Sequence, residues 1–239
     1  MASLRHYRLC PHSRAARILL AEAGIICELI DDKPWEWSPE RLALDPAGDL
    51  PVLSGPHGLV VGGIYAISEW VADTAFDERA GERDTTRRAH AFSGSAAERV
   101  EIRRLASWFT AKMDREVTQL LLEEKVYARF RTEADQNASG PDPEVLRVAA
   151  ANMAEHLRYL EHLASARKWL AGDVLTFADM AAAAQLSIVD YLGGIDWTGH
   201  DATKEWYARL KSRPSVRTIL TQRVPGAPNP PDHYEDPDF

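Results

Sequence analysis

Two side chains near the start of the chain have the type and spacing for nucleophilic chemistry. Cys10 and Ser13 lie in the run Leu9-Cys10-Pro11-His12-Ser13-Arg14, at the junction of an apolar strand pattern and a helical one. A thiol or hydroxyl at a helix N-terminus feels the positive end of the helix dipole, which favours a thiolate. Cys10 is therefore the candidate nucleophile. Ser13 is either an activated hydroxyl or a helix N-cap, and the cap is the favoured reading because serine is a good one. The eight histidines show no metal-ligand spacing: His156 and His162 are six apart, on different faces of one helical stretch. No metal site is expected.

Two further groups could make contacts instead of chemistry. Trp35 and Trp37 straddle Glu36 in a polar, proline-bounded segment. If that segment is extended, alternate residues point the same way and both rings form one exposed patch; such aromatic anchors dominate interface energies. The competing reading packs one or both rings on a neighbouring domain or a second copy. Residues 225–239 hold five prolines and four acidic side chains, among them Asp232, Asp236 and Asp238, with His233, Tyr234 and a terminal Phe239. The segment cannot continue a helix and is too polar for a core, so it is a docked arm or a flexible tail. Its aromatics are unusual for a plain solubility tail, since aromatics are scarce in disordered segments. Arg103, Arg104, Lys112 and Arg115 have helical spacing and read as a solvated helix face.

The elements that would position these groups follow from periodicity. Residues 3–9 and 25–30 read as strands, and 13–23 as a helix stopped by Gly24. Residues 51–53 and 59–61 flank Gly55-Pro56-His57-Gly58, a hairpin signal, and 64–75 returns to helix. That order gives a small thioredoxin-like α/β domain over residues 1–80. A polar linker over 81–88 follows, then an all-helical domain over 89–224 and the tail. Helical stretches fall at 89–131, 144–167, 177–191 and 202–223. Thr176 and Asp179 have capping-box spacing, a local nucleus for a buried helix.

With 239 residues, 45% of them hydrophobic, the chain can build one large domain or two compact ones. A formal net charge of −8 argues against wholesale nucleic-acid binding, which needs a concentrated basic face. Two cysteines make no disulfide framework, and there is neither a secretory signal pattern nor an apolar run long enough to span a membrane. The expectation is a soluble cytoplasmic protein.

Four segments in order resemble the cytosolic glutathione transferase superfamily: the Cys10-Pro11-His12-Ser13 run; Leu50-Pro51; the stretch from Trp169 to Asp179; and Trp206-Tyr207 with Arg213-Pro214-Ser215-Val216. The resemblance implies a cis bond at Leu50-Pro51, a thioredoxin-like domain followed by a helical one, and a homodimer. It places the ligand cleft at Leu50, Pro51, Gly63 and Ile64. The family's Glu/Gln-Ser pair, which holds the γ-glutamyl group of glutathione, reads Gly63-Ile64 here. Each lost hydrogen bond to a charged group costs roughly 1.5–3 kcal/mol, so glutathione binding is disfavoured.

Within the superfamily, three segments resemble an alphaproteobacterial cell-division branch that binds the polymer FtsZ: the opening Cys-Pro-x-Ser-Arg run, Lys33-Pro34-Trp35-Glu36-Trp37 and the acidic aromatic ending. That likeness implies a non-enzymatic protein at the division site. It would bind FtsZ filaments and curve or bundle them, using no cofactor and no catalytic residue, with Cys10 and Ser13 vestigial. Trp35, Trp37, Asp232, His233, Tyr234, Asp236, Asp238 and Phe239 are its candidate partner-binding residues. The alternative is a glutathione-dependent transferase or thiol reductase using Cys10 or Ser13.

Overall fold

The computed structural model describes residues 2–75, 91–130 and 140–238. The expected linker at 81–88 lies outside them.

The first unit opens with β1 (Ala2–His6), α1 (Pro11–Glu22) and β2 (Cys27–Asp31). The two strands run parallel, with Leu4 opposite Leu29; a parallel pair needs a crossover, and α1 supplies it. Gly24 ends α1 at φ +71°, where its N–H reaches the Ala21 carbonyl and the Ile25 N–H reaches that of Leu20. This closure consumes Ile25 and Ile26, so β2 starts at Cys27 instead of the expected Ile25. A short helix, α2 (Pro39–Leu44), leads to the antiparallel hairpin β3 (Val52–Ser54) and β4 (Val60–Gly62), then to α3 (Ile64–Ala75). The strand order is β2-β1-β3-β4, the thioredoxin-like arrangement.

The second unit is helical. α4 (Ala96–Ser107) passes into a widened π-type stretch, Trp108–Thr118, then α5 (Gln119–Lys125). α6 (Pro143–Ala166) is N-capped by Asp142. All fifteen residues of α7 (Phe177–Tyr191) are buried, and it packs on α1, which joins the two units. Thr176 and Asp179 pair across its start: the Asp179 carboxylate accepts the Thr176 N–H and hydroxyl, the Leu170 N–H and the Trp206 indole N–H, all at 2.8–3.0 Å. Burial pushes the Asp179 carboxyl up while these donors hold it down. The expected stretch 202–223 is two helices, α8 (Asp201–Lys211) and α9 (Pro214–Leu220). Pro214 cannot donate into a continuing helix and disfavours helical backbone at Arg213, so the chain breaks there.

The tail docks. Tyr234, which composition places outside any core, is 1% exposed in the main hydrophobic cluster. Among the described residues, no helix is long and apolar enough to cross a membrane.

Candidate functional site

A cleft of about 820 Å³ opens between the two units. Its floor is built by the start of α1, the Leu50-Pro51 turn and the start of α3. The Leu50-Pro51 bond is cis, as the resemblance implies. Leu50, Gly63 and Ile64 line the cleft; Pro51 is buried behind them, its carbonyl taking the Gly63 N–H at 2.9 Å.

Cys10, not Ser13, caps α1. Its Sγ accepts the Ser13 N–H at 3.4 Å and its S–H approaches the Leu50 carbonyl at 3.7 Å. Pro11 at the first helical position puts the cap one residue earlier, at Cys10. Ser13 is fully buried and its Oγ accepts the Tyr7 N–H, so it does not face the cleft. The expected thiolate is also overturned: burial pushes the Cys10 thiol up to about 11, beyond what the helix-end N–H groups pull down, and the Asp114 carboxylate adds to the rise. At neutral pH the group is a thiol.

Gly63 and Ile64 offer the cleft no polar side-chain atom. Gly63 sits at φ +78°, with open space where a Cβ would stand, and Ile64 is 7% exposed. The cleft carries Asp49, Asp114 and Glu123, and neither lysine nor arginine is among its described lining residues. The His12 imidazole is tied to the Thr110 carbonyl at 2.8 Å, with Asp114 3.7 Å away. Glutathione brings two carboxylates, so the wall charge opposes it. Asp114 reaches the cleft from the widened π-type stretch, and sequence periodicity gave no sign of that register change.

The two tryptophans part company. Trp35 stacks on Phe130 at 4.3 Å and lies edge-on to Tyr7 at 5.2 Å, with Tyr127 at 5.5 Å. Trp37 is 68% exposed and covers Gly48, where a Cβ would meet its ring at 2.8 Å. No single patch forms because the segment turns: the Glu36 N–H meets the Lys33 carbonyl and the Ser38 N–H that of Glu36. Alternation applies only to extended backbone. Arg41, fully buried and unnoticed in the sequence, holds this turn through Asp32 at 2.7 Å and the carbonyls of Lys33 and Glu36.

In the tail, two of the candidate contact residues point inward. Arg14 Nη1 donates to the Tyr234 hydroxyl at 2.9 Å and to Ser187 at 2.8 Å, and Tyr234 meets Tyr191 edge-on at 5.3 Å. His233 contacts Asp190 at 2.9 Å, and Lys211 Nζ donates to the carbonyls of His233 and Asp236. Burial lowers the Lys211 ammonium to about 8. Asp232, Asp236 and Asp238 remain exposed, an acidic outer edge on an anchored strap; Phe239 lies outside the described residues. On the helical unit, Arg103 pairs with Glu69, Arg104 with Glu101, and Lys112 with Glu116; Arg115 lies 3.5 Å from Glu116. His156 sits between Trp108 and Glu116.

A thioredoxin-like sheet with a cis-proline at the cleft, joined to a helical unit around a buried α7, defines a class. Residues 9–74 match the glutathione S-transferase N-terminal domain and residues 124–209 the C-terminal domain. The chain belongs to the glutathione S-transferase family. It is 38% identical to FtsZ-localized protein A of Caulobacter vibrioides, over 99% of this chain and 98% of that protein. The solved structure of FzlA from C. crescentus superposes with a TM-score of 0.87 at 38% identity, covering 100% of this chain and 99% of that one. A glutathione S-transferase structure from Sinorhizobium meliloti superposes at 0.90 with 41% identity over the whole of both chains.

Proposed function

We propose that this protein is a non-enzymatic cell-division factor that binds FtsZ filaments as a homodimer at the division site and curves or bundles them. The observation that carries the reading is the likeness to FtsZ-localized protein A along almost the entire length of both proteins. The cleft chemistry supports it: Gly63 and Ile64 in place of a polar anchor, an acidic wall, and a protonated thiol at Cys10. The exposed Trp37 and the carboxylates of Asp232, Asp236 and Asp238 are the candidate contact groups. Trp35, His233 and Tyr234 act through position, by fixing the segments that display them.

The second reading is a glutathione-dependent transferase or thiol reductase using Cys10 or Ser13. What favours it is the retained cleft with its cis-proline beside Cys10. Co-sedimentation with GTP-assembled FtsZ, run beside retention on immobilised glutathione, separates the two. The adaptor reading expects pelleting with polymer, no retention, and full activity in Cys10→Ala. Retention together with loss of activity in Cys10→Ala would favour the enzyme.

A further inference from the structure

Arg17, on α1 and away from the cleft, is a buried cation with no carboxylate paired to it among the described residues. It is 9% exposed, and its one side-chain hydrogen-bond partner among the described residues is neutral, the Gln222 side-chain oxygen at 2.8 Å from Nη1. Among the described residues, no carboxylate stands within ion-pair distance of it. Asp31, the acid whose charge acts on it, is clamped by Arg8 at 2.6 and 3.3 Å. Glu22, further along α1, is held by Arg213 at 2.8 and 2.6 Å and by Ser215. Burial, with the neighbouring Arg14 and Arg8, lowers the Arg17 guanidinium to about 10, and Asp31 offsets only part of this. A guanidinium taken out of water is costly unless something charged meets it.

That side chain forms part of the wall of a small pocket between α1, β2 and α9. Its volume is about 160 Å³; Leu4, Leu20, Ile25, Leu29 and Ile219 give it an aliphatic wall, while the Ser215 and Thr218 hydroxyls on its rim already donate to Glu22 and to the Ser215 carbonyl. A cavity of roughly this size holds one small organic molecule, on the order of six non-hydrogen atoms. One cation, with the neighbouring hydroxyl protons committed, does not suit phosphate, which wants several donors; beside an aliphatic wall it suits a carboxylate carrying a short branched chain. We propose that this pocket binds a short aliphatic carboxylate, its oxygens on Arg17 and its chain against Leu20, Ile25, Leu29 and Ile219. The same chemistry has two sources, a free branched acid or the C-terminal leucine, isoleucine or valine of a peptide. The site is independent of the FtsZ reading.

The test uses the full chain and calorimetric titration with isovalerate, with isoamyl alcohol as the uncharged analogue, and with a short peptide ending in leucine as free acid and as amide. Isovalerate saturates, and the alcohol binds at least roughly tenfold more weakly, since the charge-assisted pair is lost. Peptide acid binding as tightly as isovalerate, with the amide silent, assigns the site to a chain terminus; isovalerate binding alone assigns it to a free acid. Arg17→Gln abolishes saturation. Leu29→Asp, at a position 46% exposed at the pocket wall, weakens it by charge repulsion without disturbing the packing of Arg17. Failure of isovalerate to saturate at millimolar concentrations overturns the proposal. Equal binding by the wild type and both variants does so too.

Discussion

Removing the Tyr234 side chain should destabilise the fold measurably, although the residue lies near the C-terminus. The ring is 1% exposed, meets Tyr191 edge-on, and its hydroxyl takes a bond from Arg14, itself fully buried with Nη2 already lacking a partner. Tyr234→Phe leaves Arg14 Nη1 only Ser187, a loss of about 1.5–3 kcal/mol for one charge-assisted bond. Tyr234→Ala adds a cavity and the lost ring pair, about 3–5 kcal/mol in a core that cannot collapse. A terminal strap can also detach, so the alanine variant cannot cost more than docking contributes. Its urea-unfolding midpoint should therefore fall no further than that of a chain ending at Pro228, with faster amide exchange around Arg14 and Ser187. If Tyr234→Ala shifts the unfolding free energy by less than about 0.5 kcal/mol, the level of an ordinary surface change, the anchoring account is wrong. Deleting residues 229–239 likewise removes a core residue along with the acidic edge. Asp232→Asn, Asp236→Asn and Asp238→Asn test that edge with Tyr234 in place.

Three other outcomes follow from the site and the core. Cys10, its thiol raised to about 11, alkylates slowly at pH 8 in iodoacetamide assays, with the rate climbing toward pH 11; half-maximal reactivity near pH 7 would contradict the burial argument. His6 is 2% exposed and lowered from 6.5 to about 4 by burial and by Arg17, with the Asp31 carboxylate opposing. The unfolded chain then binds the extra proton, so stability falls as pH drops from 6.5 toward 4, by about 3 kcal/mol at the limit. Unfolding curves of His6→Phe should lack that part of the acid slope, and an unchanged slope would refute it. The double variant Gly63→Glu with Ile64→Ser returns a carboxylate and a hydroxyl to the start of α3, where a Cβ at Gly63 meets open space. It should gain retention on immobilised glutathione, at a cost of about 1 kcal/mol for a side chain at positive φ; no gain would refute the idea that the missing polar pair is what keeps the ligand out.

Much of the architecture was legible because it rests on local signals. Gly24 at the end of α1, the Gly55-to-Gly58 turn and the start of α3 at Ile64 are all set by residues adjacent in sequence. The Thr176 and Asp179 pairing was visible from spacing, but the Leu170 and Trp206 donors on the same carboxylate were not, since they arrive from elsewhere in the chain. The site was harder for the same reason. Whether Cys10 is a thiolate depends on burial by Leu50 and on Asp114, which sequence distance hides. Trp35 and Trp37 look equivalent until a turn held by Arg41 separates them. The tail's composition reads as solvent-facing because its one fully buried side chain among the described residues, Tyr234, is outnumbered by acids and prolines; the groups that hold the strap, Arg14, Asp190 and Lys211, lie elsewhere in the chain.

The most direct measurement is co-sedimentation of the full chain with purified FtsZ in the presence of GTP and, as control, GDP, alongside Trp37→Ala and the three tail Asp→Asn changes combined. The account predicts that the wild type pellets only with GTP polymers and that these surface variants weaken pelleting while keeping the native unfolding midpoint. A wild-type chain that stays in the supernatant with polymerised FtsZ would contradict it.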